Sequence, residues 1–184
     1  MISQSPIQPI KMNTSQKYKP WISSLIFLPI ILWLIFNGGK FIFLLDYFNL
    51  LIHEGGHGIF KIFGDFIYTL GGTLMQIIIP SLFIFYLVRN EKRIGAQISL
   101  VWLGQNLLNI SIYAGDAFER KLPLLGGSKV YHDWTHLLNQ TGLILHAKEV
   151  GYFFFGLGII AFVFCLILPL LIKDYEKTKI NLDL

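Results

Sequence analysis

Three stretches of this chain run without a charged side chain for as long as, or longer than, a helix needs to cross a lipid bilayer. Residues 71–88 carry none, nor do residues 94–115, and residues 150–172 continue the pattern over twenty-three positions. A helix crosses the hydrocarbon core with about 18–20 apolar residues, and inside that core a helix satisfies its own backbone groups. Composition agrees, with 54% hydrophobic and 14% charged residues and a mean hydropathy of +0.59, where soluble domains carry roughly 25% charge. The fold expected is all-α, a polytopic membrane helix bundle of about five transmembrane helices.

The other two helices are read from weaker signals. Trp21 to Asn37 is apolar and follows a polar tail, residues 1–20, that contains Lys11, Lys17 and Lys19. Its length, and the absence of a small-residue cleavage pattern after it, favour a retained anchor over a cleaved signal. A helix from about Phe41 to Phe63 differs from the rest because it holds Asp46, His53, Glu54 and His57. Helices three, four and five are placed at about Leu70 to Val88, Ile94 to Tyr113 and Val150 to Ile172. Pro80 lies inside the third, where its missing donor would free a carbonyl near Gln76. The membrane-embedded domain is thus residues 21–172, with a polar loop at 114–149 and a charged tail at 173–184. Lys and Arg flank the apolar segments, and no basic and aromatic stripe accompanies the net charge of +4. The lipid bilayer is therefore an expected partner and nucleic acid is not. The lone cysteine, Cys165, allows no internal disulfide.

The second helix contains the chemistry. In His53-Glu54-Gly55-Gly56-His57 the two histidines stand four apart, on one face of a helix, with Glu54 beside them. That spacing lets two imidazoles reach one ion while a carboxylate acts as the base that takes a proton from the attacking water. Ionisable groups within apolar helices are expensive and mark function by default. Asp46, seven residues before His53, is placed to accept from a ligand imidazole. Gly55, Gly56 and Gly58 leave space for helix packing or a substrate strand.

This motif in an apolar helix resembles the site-2 protease group of intramembrane zinc metalloproteases, over roughly Phe41 to Arg120. The resemblance implies a bound zinc ion, a protease activity and a third ligand from a later helix. The family supplies that ligand from an asparagine-containing stretch leading to Leu-Asp-Gly. The matching stretch here runs from Asn109 to Asp116, lacks the family's proline, and has Gly115-Asp116-Ala117 in place of that triplet. Asp116 is accordingly the expected third ligand, sharing a helical face with Gln105 and Asn109. Asp133 and His132, in the polar loop, are the competing ligands, or alternatively bind substrate. Gln76 and Asn109 are expected either to position an extended substrate or to bond neighbouring helices, while His136 and His146 are read as ordinary loop residues.

The activity expected is hydrolysis of a peptide bond in a membrane or membrane-adjacent protein, with Zn2+ as cofactor and Glu54 as general base. The chain is expected to be integral and multi-pass, in the cell membrane. The alternative is a non-catalytic scaffold or a metal carrier, in which Glu54 would have no task. Bis-histidine haem ligation is disfavoured, because two histidines four apart approach an ion from one side.

Overall fold

A computed structural model of the protein describes residues 18–37, 40–122 and 131–172. Most of the expected polar N-terminal tail, the C-terminal tail at 173–184, and Pro123 and Gly126-Gly127 of the polar loop lie outside these. Among the described residues are six α-helices and no strand. They are α1 (Trp21–Phe36), α2 (Phe43–Phe60), α3 (Asp65–Arg89), α4 (Arg93–Gly115), α5 (Asp133–Gln140) and α6 (Ala147–Leu171). One 3-10 turn, Lys61–Phe63, follows α2, and another, Ile144–His146, leads into α6.

Five helices match the apolar segments, with boundaries set by local chemistry. α3 begins five residues earlier than expected, because Gly64 at φ 90° turns the chain and Asp65 opens the new helix. A positive φ is open to glycine without a side-chain penalty, and an acidic residue in the first turn complements the helix dipole. α5 was not anticipated inside the polar loop. It is short, and its apolar residues Trp134, Leu137 and Leu138 fall at helical spacing and are buried.

The expectation of about five membrane crossings is met in part. Among the described helices, α3 and the continuous stretch Ile144–Leu171 containing α6 are long and apolar enough to cross a membrane. α1 is apolar but has 16 residues. α2 carries Asp46, His53, Glu54 and His57, and α4 carries Arg93, Gln97, Gln105, Asn106 and Asn109, which lower their hydropathy.

α4 is the central element. One of its faces packs along α6 and another against α3, α1 touches both α4 and α6, and α2 lies on α3. The α1–α4–α6 core gathers Ile31, Leu34, Ala96, Leu100, Leu108, Phe162, Cys165 and Leu168. Gly104 brings the two long helices together, since a Cβ there would overlap the ring of Phe162. A second core, with Ile110, Ala114, Trp134, Leu137, Leu138 and Ala147, seats α5 against α4 and the start of α6.

Two prolines dictate where the polar groups of α4 go. Pro80 has no N–H for the carbonyl of Gln76, and Asn106 Nδ2 donates to that oxygen at 3.0 Å. Pro169 likewise has none for Cys165, and Gln97 Nε2 donates to that carbonyl at 2.9 Å. Gln97 and Asn106 are both fully buried, so each amide answers a carbonyl that its own helix has left bare. The Gln97→Leu variant should lose about 1–3 kcal/mol of stability. Pro169→Ala, which restores an N–H to its own helix, should recover most of that loss in the double variant. Equal midpoints for Gln97→Leu and the double variant in detergent thermal unfolding would refute this pairing.

Candidate metal centre

α2 comes unusually close to α3 because both carry glycine at the crossing. A Cβ on Gly56 would overlap the carbonyl of Gly71, and one on Gly71 would stand 2.8 Å from the Gly56 oxygen. Close approach of this kind is what small residues provide at helix interfaces. Its consequence is local: His53 and His57 lie against Gly72, Gln76 and the Tyr68 carbonyl of α3. Gly72 is required there, since a Cβ at that position would overlap the His53 imidazole.

Asp133, the first residue of α5, meets the two imidazoles from the other side. Its Oδ2 stands 2.9 Å from His53 Nε2 and 3.4 Å from His57 Nε2, and the two Nε2 atoms are 3.1 Å apart. His53 and Asp133 are buried and His57 is half-buried. The three ligand atoms lie within 4.8 Å of one another, so the group could hold a metal ion.

The outward nitrogens fix what the inward ones offer. His57 Nδ1 is 2.8 Å from the carbonyl oxygen of Tyr68, and His53 Nδ1 is 3.1 Å from Gln76 Oε1. Both oxygens accept, so each neutral ring carries its proton on Nδ1 and turns a bare Nε2 lone pair inward. Two imidazole lone pairs and a carboxylate oxygen therefore converge. Their separations approach the edge of about 3.3 Å of a tetrahedron whose arms match zinc–nitrogen and zinc–oxygen bonds. Carbonyl or amide acceptors behind the imidazoles are the usual support of metal-bound histidine. The residues thus fit a small divalent ion bound by two imidazoles and one carboxylate.

Several expected roles move. Asp116 ends α4 and stands outside the cluster, where its two carboxylate oxygens accept from the backbone N–H groups of Lys121 and Leu122, each at 2.9 Å. It is a turn-capping carboxylate that accepts from amides of the segment following the helix. Asp46 does not orient an imidazole. It is two helical turns from His53, and accepts from Gln105 Nε2 at 2.7 Å, Asn109 Nδ2 at 2.6 Å and the backbone N–H of Ile42. Asn109 is thereby committed to binding α2 to α4. Asn49 joins the same seam, donating to Gln105 Oε1 and accepting from Trp102 Nε1.

His132 is the N-cap of α5, its Nδ1 accepting from the Thr135 N–H at 3.2 Å. Burial pushes its pKa below the usual value against the pull of Asp116, which keeps that nitrogen free to accept. His146 is an exposed loop residue, as expected, whereas His136 pairs with Asp65. Glu54 is exposed, and follows His53 by about 100° around the helix. Its charge reaches both His57 and Tyr113.

The Tyr68 carbonyl had no side-chain signal to mark it. Asp133, a competing ligand in the sequence, has one: it is a polar residue opening an apolar helical pattern at Trp134, Leu137 and Leu138. No protein-family model, curated protein or solved structure compared with this chain matches it.

Gly72→Ala should displace the His53 ring and weaken binding of a divalent metal ion at the candidate site by about tenfold or more. Gly58→Ala, where a Cβ meets nothing within 4 Å, should leave the metal affinity at the parental value. Competition with a chromophoric chelator measures both, and equal affinities for the two variants would show that the His53 position is not set by Gly72.

Proposed function

We propose that this chain is a membrane-embedded zinc metallopeptidase that cleaves a peptide bond in a membrane or membrane-adjacent protein. The observation that carries the reading is the convergence of His53 Nε2, His57 Nε2 and an Asp133 oxygen within 4.8 Å, beside an exposed glutamate. Three protein ligands leave room for a substrate or water, which separates catalytic zinc sites from closed structural ones.

A zinc ion held there would supply an electrophile that acidifies water and polarises a carbonyl. Glu54 takes the proton of the attacking water and returns it to the leaving amine. The Gln76 and Tyr68 acceptors hold the imidazole protons on the outward nitrogens, so that each Nε2 would face the ion. Asp133 keeps its negative charge at the cluster. Beside Glu54, a Cβ on Gly55 or Gly58 would meet nothing within 4 Å, which leaves space for a peptide backbone.

A bilayer setting is supported by the surfaces of the long helices. The core helix of a soluble protein is mostly buried, whereas the most apolar windows of α3 and of Ile144–Leu171 are 28% and 33% buried. Large apolar side chains cover the remainder, among them Phe85, Phe153 and Leu170 at 63%, 62% and 61% exposure. Continuous apolar surface on this scale calls for a membrane or a partner, and the charge-free length of these helices favours the membrane.

Purified protein should bind one zinc ion per chain and cleave a detergent-solubilised transmembrane peptide until the metal is removed by a chelator. Glu54→Gln should keep the zinc and lose about a hundredfold or more in cleavage rate. Asp133→Asn should lose zinc affinity, while Asp116→Asn should retain it. Undiminished cleavage by Glu54→Gln would sink the mechanism, and zinc lost on changing Asp116 but not Asp133 would relocate the third ligand.

A further inference from the structure

The two histidines sit on one turn of a long helix, but Asp133 arrives eighty residues beyond His53 on a separate helix of eight residues. Metal affinity in such a site depends on how firmly the third ligand is presented, because an unrestrained carboxylate loses entropy on binding that a fixed one has already lost. α5 is held from two sides by side chains that contribute no atom to the cluster. On the α4 side, Tyr113 Oη accepts the backbone N–H of Asp133 at 3.1 Å, and its ring lies on the ring of His132 with centroids 4.4 Å apart. Thr135 Oγ1 donates to the Ala117 carbonyl in the same region at 2.6 Å. On the α3 side, Asp65 Oδ2 accepts from His136 Nε2 at 2.9 Å and from Gln140 Nε2 at 3.1 Å.

We infer that Tyr113 and Asp65 are positioning residues that clamp α5 between α4 and α3 and thereby set the affinity of the metal site. The inference rests on the proposed metal centre and adds residues to it that neither the His-Glu-x-x-His spacing nor the ligand cluster contains. Tyr113 acts on Asp133 directly, since the N–H it accepts belongs to one of the first helical residues, which have no intrahelical acceptor. Asp65 acts at the far end. His136 and Gln140 are three and seven residues after Asp133, so the pair restrains α5 along its length and opposes rotation of its first turn away from α2. Beneath both contacts Trp134, Leu137 and Leu138 are buried, and the clamp sets the angle at which this packed helix delivers its carboxylate.

The test is zinc affinity measured by chelator competition on the full-length protein in detergent, with Co2+ substitution to read coordination. Tyr113→Phe keeps the ring and removes the acceptor, and should weaken zinc by about three- to tenfold. Asp65→Asn removes one exposed pair and should weaken it by about two- to fivefold. Asp65→Glu, which preserves the acceptor charge, should restore much of the lost affinity. In both weakened variants the Co2+ absorption at saturation should match the parent, because the same three ligands bind once the cost of placing Asp133 is met. Asp133→Asn should change that spectrum. A parent that binds zinc, with Tyr113→Phe and Asp65→Asn binding it equally well, would overturn the clamp and leave the metal centre standing. A parent that binds no zinc would overturn both. A uniform fall in thermal stability of the metal-free variants, with affinity unchanged, would assign Tyr113 and Asp65 to folding alone and likewise overturn the inference.

Discussion

A carbonyl left bare by proline inside an apolar helix can be answered from another helix, and two such carbonyls organise this bundle. Pro80 exposes the oxygen of Gln76 and Pro169 that of Cys165, and buried amides of α4 reach both. Two of the polar side chains that reduce the hydropathy of α4, Asn106 and Gln97, are thus the groups that bind it to α3 and α6. The Gln76 contact has a second effect. Asn106 holds the backbone of the same residue whose side chain bonds His53, so the helix-to-helix link and the imidazole support meet at one position.

The α2–α4 seam follows the same logic with a charge in place of a carbonyl. Asp46 is buried without a cationic partner among the hydrogen bonds that hold it; Gln105, Asn109 and the backbone of Ile42 supply N–H donors. α2 is therefore fixed twice, at its beginning by Asp46 on α4 and near its end by the Gly56–Gly71 contact with α3. Between these points His53 has little freedom, and its ring occupies the space that Gly72 leaves.

Much of this is legible in the sequence. The charge-free runs locate α3, α4 and α6, the histidine spacing locates the candidate metal-binding face of α2, and Pro80 points to the bare carbonyl of Gln76. What the residues did not disclose depends on long-range geometry. Asp116 and Asp133 are both carboxylates after α4, and spacing favoured Asp116 because it continues the face of Gln105 and Asn109. The helix ends at Gly115, however, and the carboxylate of Asp116 turns back to cap the amides that follow. Asp133 wins through α5, an amphipathic turn whose eight residues were hidden in a loop with a polar average. Asp46 illustrates the same limit: a seven-residue offset places two side chains on one face without bringing them into contact.

The separation between His53 and Asp133 also orders the life of the chain. A polypeptide emerging from the ribosome presents both histidines long before the carboxylate, and α3 and α4 must be synthesised before residue 133 can close the ring. Until then only two ligands are available, and a loop of eighty residues is still open. Metal held by three ligands can therefore form only on a chain whose middle helices are in place, so that binding reinforces the completed topology and offers little to a partial one. The late carboxylate makes the centre a record of assembly: a chain of this construction would complete its set of three candidate ligands only after the helices around them had come together.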